Sequence, residues 1–137
     1  MRVAVVFVPH SRRDKLLEIS KALAKGIEAQ GHSVDVIDGS RDVNSKLTIY
    51  EYLAVGTEIV STFGGKIPDS VAQYLKSSGI VGGKRSFAFI LKRPFGTEKG
   101  IQRLMKAMET EGMFLRFSSV MTSAAEAEYV GKRLKIG

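Results

Sequence analysis

Short, nearly unbroken apolar runs along this chain are each followed by stretches whose apolar residues recur every three or four positions. That switching of period constrains the fold more than any other feature. Val3 to Val8 is a nearly continuous β-branched and aromatic run, the pattern of a strand covered on both faces. From Leu16 the period changes: Leu16, Ile19, Leu23 and Ile27 share one helix face, and Gly31 follows as a stop signal. Ser11-Arg12-Arg13-Asp14 has the form of a capping box opening that helix. Ser33 to Ile37 reads as a second strand ending at Asp38-Gly39, and the polar stretch 40–48 predicts at most a short or irregular helix. Tyr50 to Gly56 reads as a third strand, and Pro68-Asp69 introduces a helix carrying Val71, Tyr74 and Leu75. Arg85 to Leu91 is a fourth strand. Ile101, Leu104, Met105 and Met108 mark a helix bounded by Gly112, and Phe114 to Met121 is a fifth strand. Ser123-Ala124-Ala125-Glu126 is a capping box for a last helix that turns Ala127, Val130 and Leu134 inward.

Strands alternating with helices require parallel pairing through right-handed crossovers. The expected architecture is one α/β domain over residues 1–137: a doubly wound, three-layer α/β/α arrangement around a five-stranded parallel sheet in the order 2-1-3-4-5. Neither a repeat nor a linker interrupts it. Sheets of this kind bind ligands beyond the carboxyl ends of their strands, at the switch point between strands 1 and 3. The loops that matter are therefore 9–15, 57–66 and 92–99.

Several chemistries are excluded early. With no cysteine, the chain has no disulfide, thiolate catalysis or cysteine-held metal, and a reducing cytoplasm is the default compartment. The two histidines, His10 and His32, show no metal-ligand spacing, and His32 reads as a solvated turn residue. No apolar run approaches the roughly 20 residues that span a bilayer, and the opening reads as a strand rather than a leader. The formal net charge of +7 predicts attraction to phosphate-bearing molecules or acidic proteins. Nucleic acid is not an expected partner, because neither a recognised motif nor a dense basic stripe is present. GxGxxG and GxxxxGK[ST] are both absent. The acidic positions of a phospho-accepting receiver domain are also missing: His10-Ser11-Arg12 and Gly56-Thr57-Glu58 stand at those places.

Leu53-Ala54-Val55-Gly56-Thr57-Glu58-Ile59, continuing through Gly64-Gly65-Lys66-Ile67-Pro68 to a helix, resembles the third βα unit of flavodoxin-family proteins. The close of the chain, a strand from Gly112 onward and then a capped helix to Leu134, is also similar. The resemblance covers the whole chain in element order. It implies FMN held at the carboxyl edge of the sheet and a role in electron transfer.

In that family the FMN phosphate sits in a first loop of the form Ser/Thr-x-Thr-Gly-x-Thr, where N–H groups, hydroxyls and a helix N-terminus converge. The corresponding stretch here is Pro9-His10-Ser11-Arg12-Arg13-Asp14-Lys15, which keeps one hydroxyl, lacks the glycine and has a proline without a donor. His10, Ser11, Arg12, Arg13 and Lys15 are its candidates for an anion, which the arginines could hold by charge-assisted hydrogen bonds. Thr57, Glu58, Phe63 and Gly64 of the second loop are the candidates nearest the flavin ring. Lys92, Arg93, Phe95 and Gly96 of the third loop join them, Phe63 and Phe95 as stacking residues. The alternative for each phenylalanine is packing back onto the domain.

Lys92 and Arg93 with Arg12, Arg13 and Lys15 would form a basic mouth. Such a mouth suits an acidic redox protein partner or a pyridine nucleotide. Two readings follow. One is an FMN-dependent electron-transfer protein, an oxidoreductase if an enzyme. The other is a flavin-free module of the same fold that binds another anionic ligand or an acidic protein.

Overall fold

The computed structural model describes residues 1–61 and 63–137; Thr62, in the 57–66 loop, lies outside the described residues. Among the described residues five strands and four helices follow one another: β1 (Arg2–Val8), α1 (Arg13–Glu28), β2 (Ser33–Asp38), β3 (Tyr52–Thr57), α2 (Ser70–Ser77), β4 (Arg85–Leu91), α3 (Thr97–Thr110), β5 (Phe114–Met121) and α4 (Ala124–Arg133). They alternate except between β2 and β3. The strands form a single sheet in the order β2-β1-β3-β4-β5, and each adjacent pair is parallel. No helix among the described residues is long and apolar enough to cross a membrane.

Alternate residues of the central strands feed two separate cores. Ala4, Val6, Val8, Leu53, Val55, Ala88 and Ile90 face α2 and α3, where Val71, Leu75, Ile101, Leu104 and Met108 cover them. Val3, Val5, Phe7, Ala54, Phe87 and Phe89 face α1 and α4, under Leu16, Ile19, Leu23, Ile27 and Ala127. On that second face the helices come close enough to need glycine: a Cβ on Gly131 would lie 2.3 Å from the Leu23 carbonyl oxygen.

The strand and helix assignments hold with three adjustments. β3 begins at Tyr52, because Tyr50 lies in the preceding turn and donates its hydroxyl to Asp35 Oδ2 at 2.7 Å. The stretch 40–48 forms turns and no helix, anchored by the Arg41 and Asp42 amides on the Asp38 carbonyl and by buried Leu47. The capping box expected at Ser11 does not form. Arg12 is the N-cap residue of α1, it has no side-chain cap bond, and the Ser11 hydroxyl is engaged elsewhere.

The cap expected at Ser123 does form: Ser123 Oγ accepts from the Glu126 amide, and Glu126 Oε1 reaches back one residue beyond the cap to accept from the Thr122 amide at 2.9 Å. β5 is the exposed edge of the sheet, with a bulge at Arg116 and with Phe114 and Phe117 reaching solvent.

Candidate ligand site at the carboxyl edge of the sheet

Order 2-1-3-4-5 sends the chain in opposite directions from β1 and β3, so the loops after these strands splay apart and leave a crevice. Thr57 closes its floor: fully buried, it donates its hydroxyl to the Val8 carbonyl at 2.7 Å and ties the two strand ends together. The next residue decides the character of the first loop. Glu58 is fully buried, and its carboxylate turns into the loop after β1. Oε2 accepts from the His10 amide at 2.8 Å and the Arg12 amide at 2.9 Å, and Oε1 accepts from Ser11 Oγ at 3.2 Å. Burial pushes the carboxyl up, but the donors at His10, Arg12 and Ser11 outweigh it and hold Glu58 below the ordinary glutamate value.

The basic residues of this loop divide. Arg13 Nε lies 2.9 Å from Asp38 Oδ2, while Asp38 Oδ1 accepts from the Ser40 amide and hydroxyl. Burial raises the Asp38 carboxyl, and the bonds from Ser40 and Arg13 bring it below its usual range. Lys15 reaches along its own helix towards Glu18 at 3.9 Å. Neither faces the crevice. Arg12 turns the other way and donates to the Lys92 carbonyl at 3.4 Å. There Arg12, Lys92, Arg93, Pro94, Met121 and Thr122 line an open cleft.

The second and third loops are locked to one another. Gly65, buried and at φ +68°, sits so close to Gly96 that a Cβ would lie 2.5 Å from the Gly96 carbonyl oxygen. Gly96 at φ +79° is the N-cap residue of α3. Arg93 adds a tie between the loops by donating to the Ile59 carbonyl at 3.3 Å, and Thr97 Oγ1 accepts from the Arg93 amide at 3.0 Å. Above this clamp stand Phe63 and Phe95, 68% and 61% exposed. Their ring centroids are 5.4 Å apart at an interplanar angle of 45°. Gly64 lies beside them, exposed, at φ +82°.

Three groupings therefore emerge among the candidate residues: His10, Ser11 and Arg12 amides and hydroxyl around Glu58; Phe63, Gly64, Phe95 and Gly96 at the clamp; and Arg12, Lys92 and Arg93 along the cleft. Two features went unread in the sequence. Glu58 serves as an acceptor for the first loop, and Asp38 as the partner of Arg13. The available signal was a carboxylate immediately after a strand buried on both faces, which must find donors nearby.

No family model matches the chain, and no curated protein matches it in sequence. Solved structures match in fold. Oxidised flavodoxin 1 from Bacillus cereus superposes with a TM-score of 0.73 at 17% identity, covering 96% of this chain and 95% of its own. A flavodoxin from the domain Archaea gives 0.68 at 16% identity, over 98% and 96% of the two chains. The flavodoxin of Streptococcus pneumoniae gives 0.70 at 14%, over 97% and 94%. The chain has a flavodoxin-like fold.

Within that fold the first loop is where an FMN phosphate would be expected, and the residues present do not fit one. The donors that would cradle it at His10, Ser11 and Arg12 are already bonded to Glu58. Residue 9 is a proline with no N–H to add. A phosphate placed there would also face a buried like charge. The second and third loops differ, since they and their aromatics stand together and open to solvent.

Proposed function

We propose that this flavodoxin-like chain binds a flavin ring between Phe63 and Phe95 and serves in electron transfer. The observation that carries the reading is the exposed phenylalanine pair on the two clamped loops. Exposed aromatic surface is unfavourable in water, and covering a phenylalanine side chain gains about 2 kcal/mol. A flat ring between the two would need faces roughly 7 Å apart, twice a van der Waals contact. With centroids 5.4 Å apart and planes at 45°, the two rings must both part and turn parallel above the Gly65–Gly96 clamp.

A bound flavin would supply the redox chemistry, and the chain would supply position and field. Arg12, Lys92 and Arg93 along the adjacent cleft favour an acidic protein partner or a pyridine nucleotide.

Titration of the purified protein with riboflavin and with FMN, followed by flavin fluorescence and thermal melting, tests the reading. Quenching with a rise in Tm for at least one flavin is expected, weakened in Phe63→Ala and Phe95→Ala. A melting temperature indifferent to both flavins overturns it. The second reading, a flavin-free module that docks an acidic protein, is favoured by the Glu58 carboxylate in the first loop. It predicts no flavin binding, together with salt-sensitive binding of polyglutamate that is lost when Arg12, Lys92 and Arg93 are replaced together by alanine.

A further inference from the structure

We infer that Glu58 is the chain's own substitute for a ligand phosphate, so that the edge selects a flavin without a phosphate, riboflavin, over FMN. The inference rests on the proposed ring site at Phe63 and Phe95 for its ligand, and on the first loop for its selectivity.

An anion cradle built from a loop and a helix start works by pointing several donors at one volume. Here that volume holds the Glu58 carboxylate. Four hydrogen bonds reach its two oxygens from the His10 amide, the Arg12 amide and the Ser11 hydroxyl, at 2.8 to 3.2 Å. The side chain has no solvent exposure, and it comes from the residue directly after β3, whose Thr57 is pinned to Val8. Such a carboxylate is a fixture of the switch point rather than a passing contact. It relieves the same conflict that a bound anion would, by placing negative charge at the positive end of α1 beside Arg12 and Arg13.

Neither neighbouring guanidinium is turned into the first loop. Arg13 is paired with Asp38, and Arg12 with the Lys92 carbonyl. A phosphate monoester thus meets a filled cradle and a like charge, whereas an uncharged ribityl end meets neither obstacle. The apolar half of the site asks only for a flat ring.

The direct test is competitive fluorescence titration of riboflavin and FMN against the wild-type chain and Glu58→Ala. Wild type should prefer riboflavin, and Glu58→Ala should shift the ratio of affinities towards FMN by about tenfold or more, the value of one charge-assisted hydrogen bond. Wild type binding FMN more tightly than riboflavin overturns the inference, and so does an unchanged ratio in a folded Glu58→Ala.

Inorganic phosphate separates this outcome from failure of the ring site. At matched ionic strength phosphate should raise the Tm of Glu58→Ala and leave wild type unmoved. If neither flavin binds either protein, the ring site is wrong, and the phosphate arm alone decides whether Glu58 fills an anion cradle. No phosphate effect on folded Glu58→Ala overturns that too. Should Glu58→Ala not fold, Glu58→Ser, which also empties the cradle, takes its place in both arms, and the wild-type preference between the two flavins remains decisive without any variant.

Discussion

The two halves of the sheet's binding edge are opposites. Around the loop after β1 the polar groups are satisfied from within: amides on Glu58, Arg13 on Asp38, Lys15 along its own helix. Around the loops after β3 and β4 the backbone is equally well tied, by the Gly65–Gly96 contact and by Arg93, yet two phenylalanines are left in solvent. Buried donors and charges left unpaired are costly, so a chain that gives up a charged ligand must supply its own counter-group. An exposed aromatic ring costs less and can wait for a ligand or partner. The polar half of such a site is thus closed internally, while the apolar half stays open.

The largest expected effect comes from breaking the closed half. Glu58→Ala orphans two backbone donors and one hydroxyl, and should destabilise the fold by about 3 kcal/mol even with water entering. Chemical denaturation of wild type and variant measures it. Because the carboxyl is held below its unfolded value, near 4.3, its contribution is complete above that value. It is lost as pH falls through the folded-state value. Glu58→Gln should therefore melt with a flatter pH dependence between pH 5 and 3 than wild type. Identical slopes would mean that the carboxylate is not the acceptor that the first loop depends on.

The open half has a different weak point. Gly65→Ala adds a Cβ 2.5 Å from the Gly96 carbonyl oxygen at a backbone angle that alanine adopts only under strain. The clamp must part. About 2 kcal/mol of stability should be lost, together with flavin affinity. Retained affinity would show that the two loops do not act as a unit. Phe63→Ala and Phe95→Ala touch only exposed rings, so stability should stay within about 0.5 kcal/mol. Flavin affinity should fall by about 1–2 kcal/mol, in the range of aromatic stacking. A loss of stability without a loss of affinity in either variant would identify that ring as packing rather than contact surface.

How much of this was legible in the sequence follows the same division. β4 and β5 have the residue limits that the apolar runs predict, because strand and helix periods are local. Position within the sheet is not local. The expected order 2-1-3-4-5 puts Phe114 to Met121 at an edge, where it lies. Nothing in the run itself marks the bulge at Arg116 or the exposure of Phe117 that follows it. The phenylalanine pair could be expected because family likeness and loop position agree at Phe63 and Phe95. The first loop was misread at Ser11. Its hydroxyl satisfies a rule of spacing as a helix cap, but a buried carboxylate 47 positions away competes for it and wins. Pairing across that separation leaves no periodic trace.

The smallest effect expected is that of Arg13→Ala. It removes a 2.9 Å contact to Asp38 whose loss is cushioned, because the Ser40 amide and hydroxyl remain on the carboxylate and Arg41 stands 3.7 Å away. About 1 kcal/mol of stability should go, as for a good ion pair near the surface. The affinities for riboflavin and FMN should not move, since the guanidinium points to the β2 side of α1 and away from the cleft that Arg12 lines. The two observables separate the halves of the edge. A tenfold drop in FMN affinity in Arg13→Ala would place this arginine on a ligand phosphate. The first loop would then be an open anion site, and the contrast with the aromatic half would collapse.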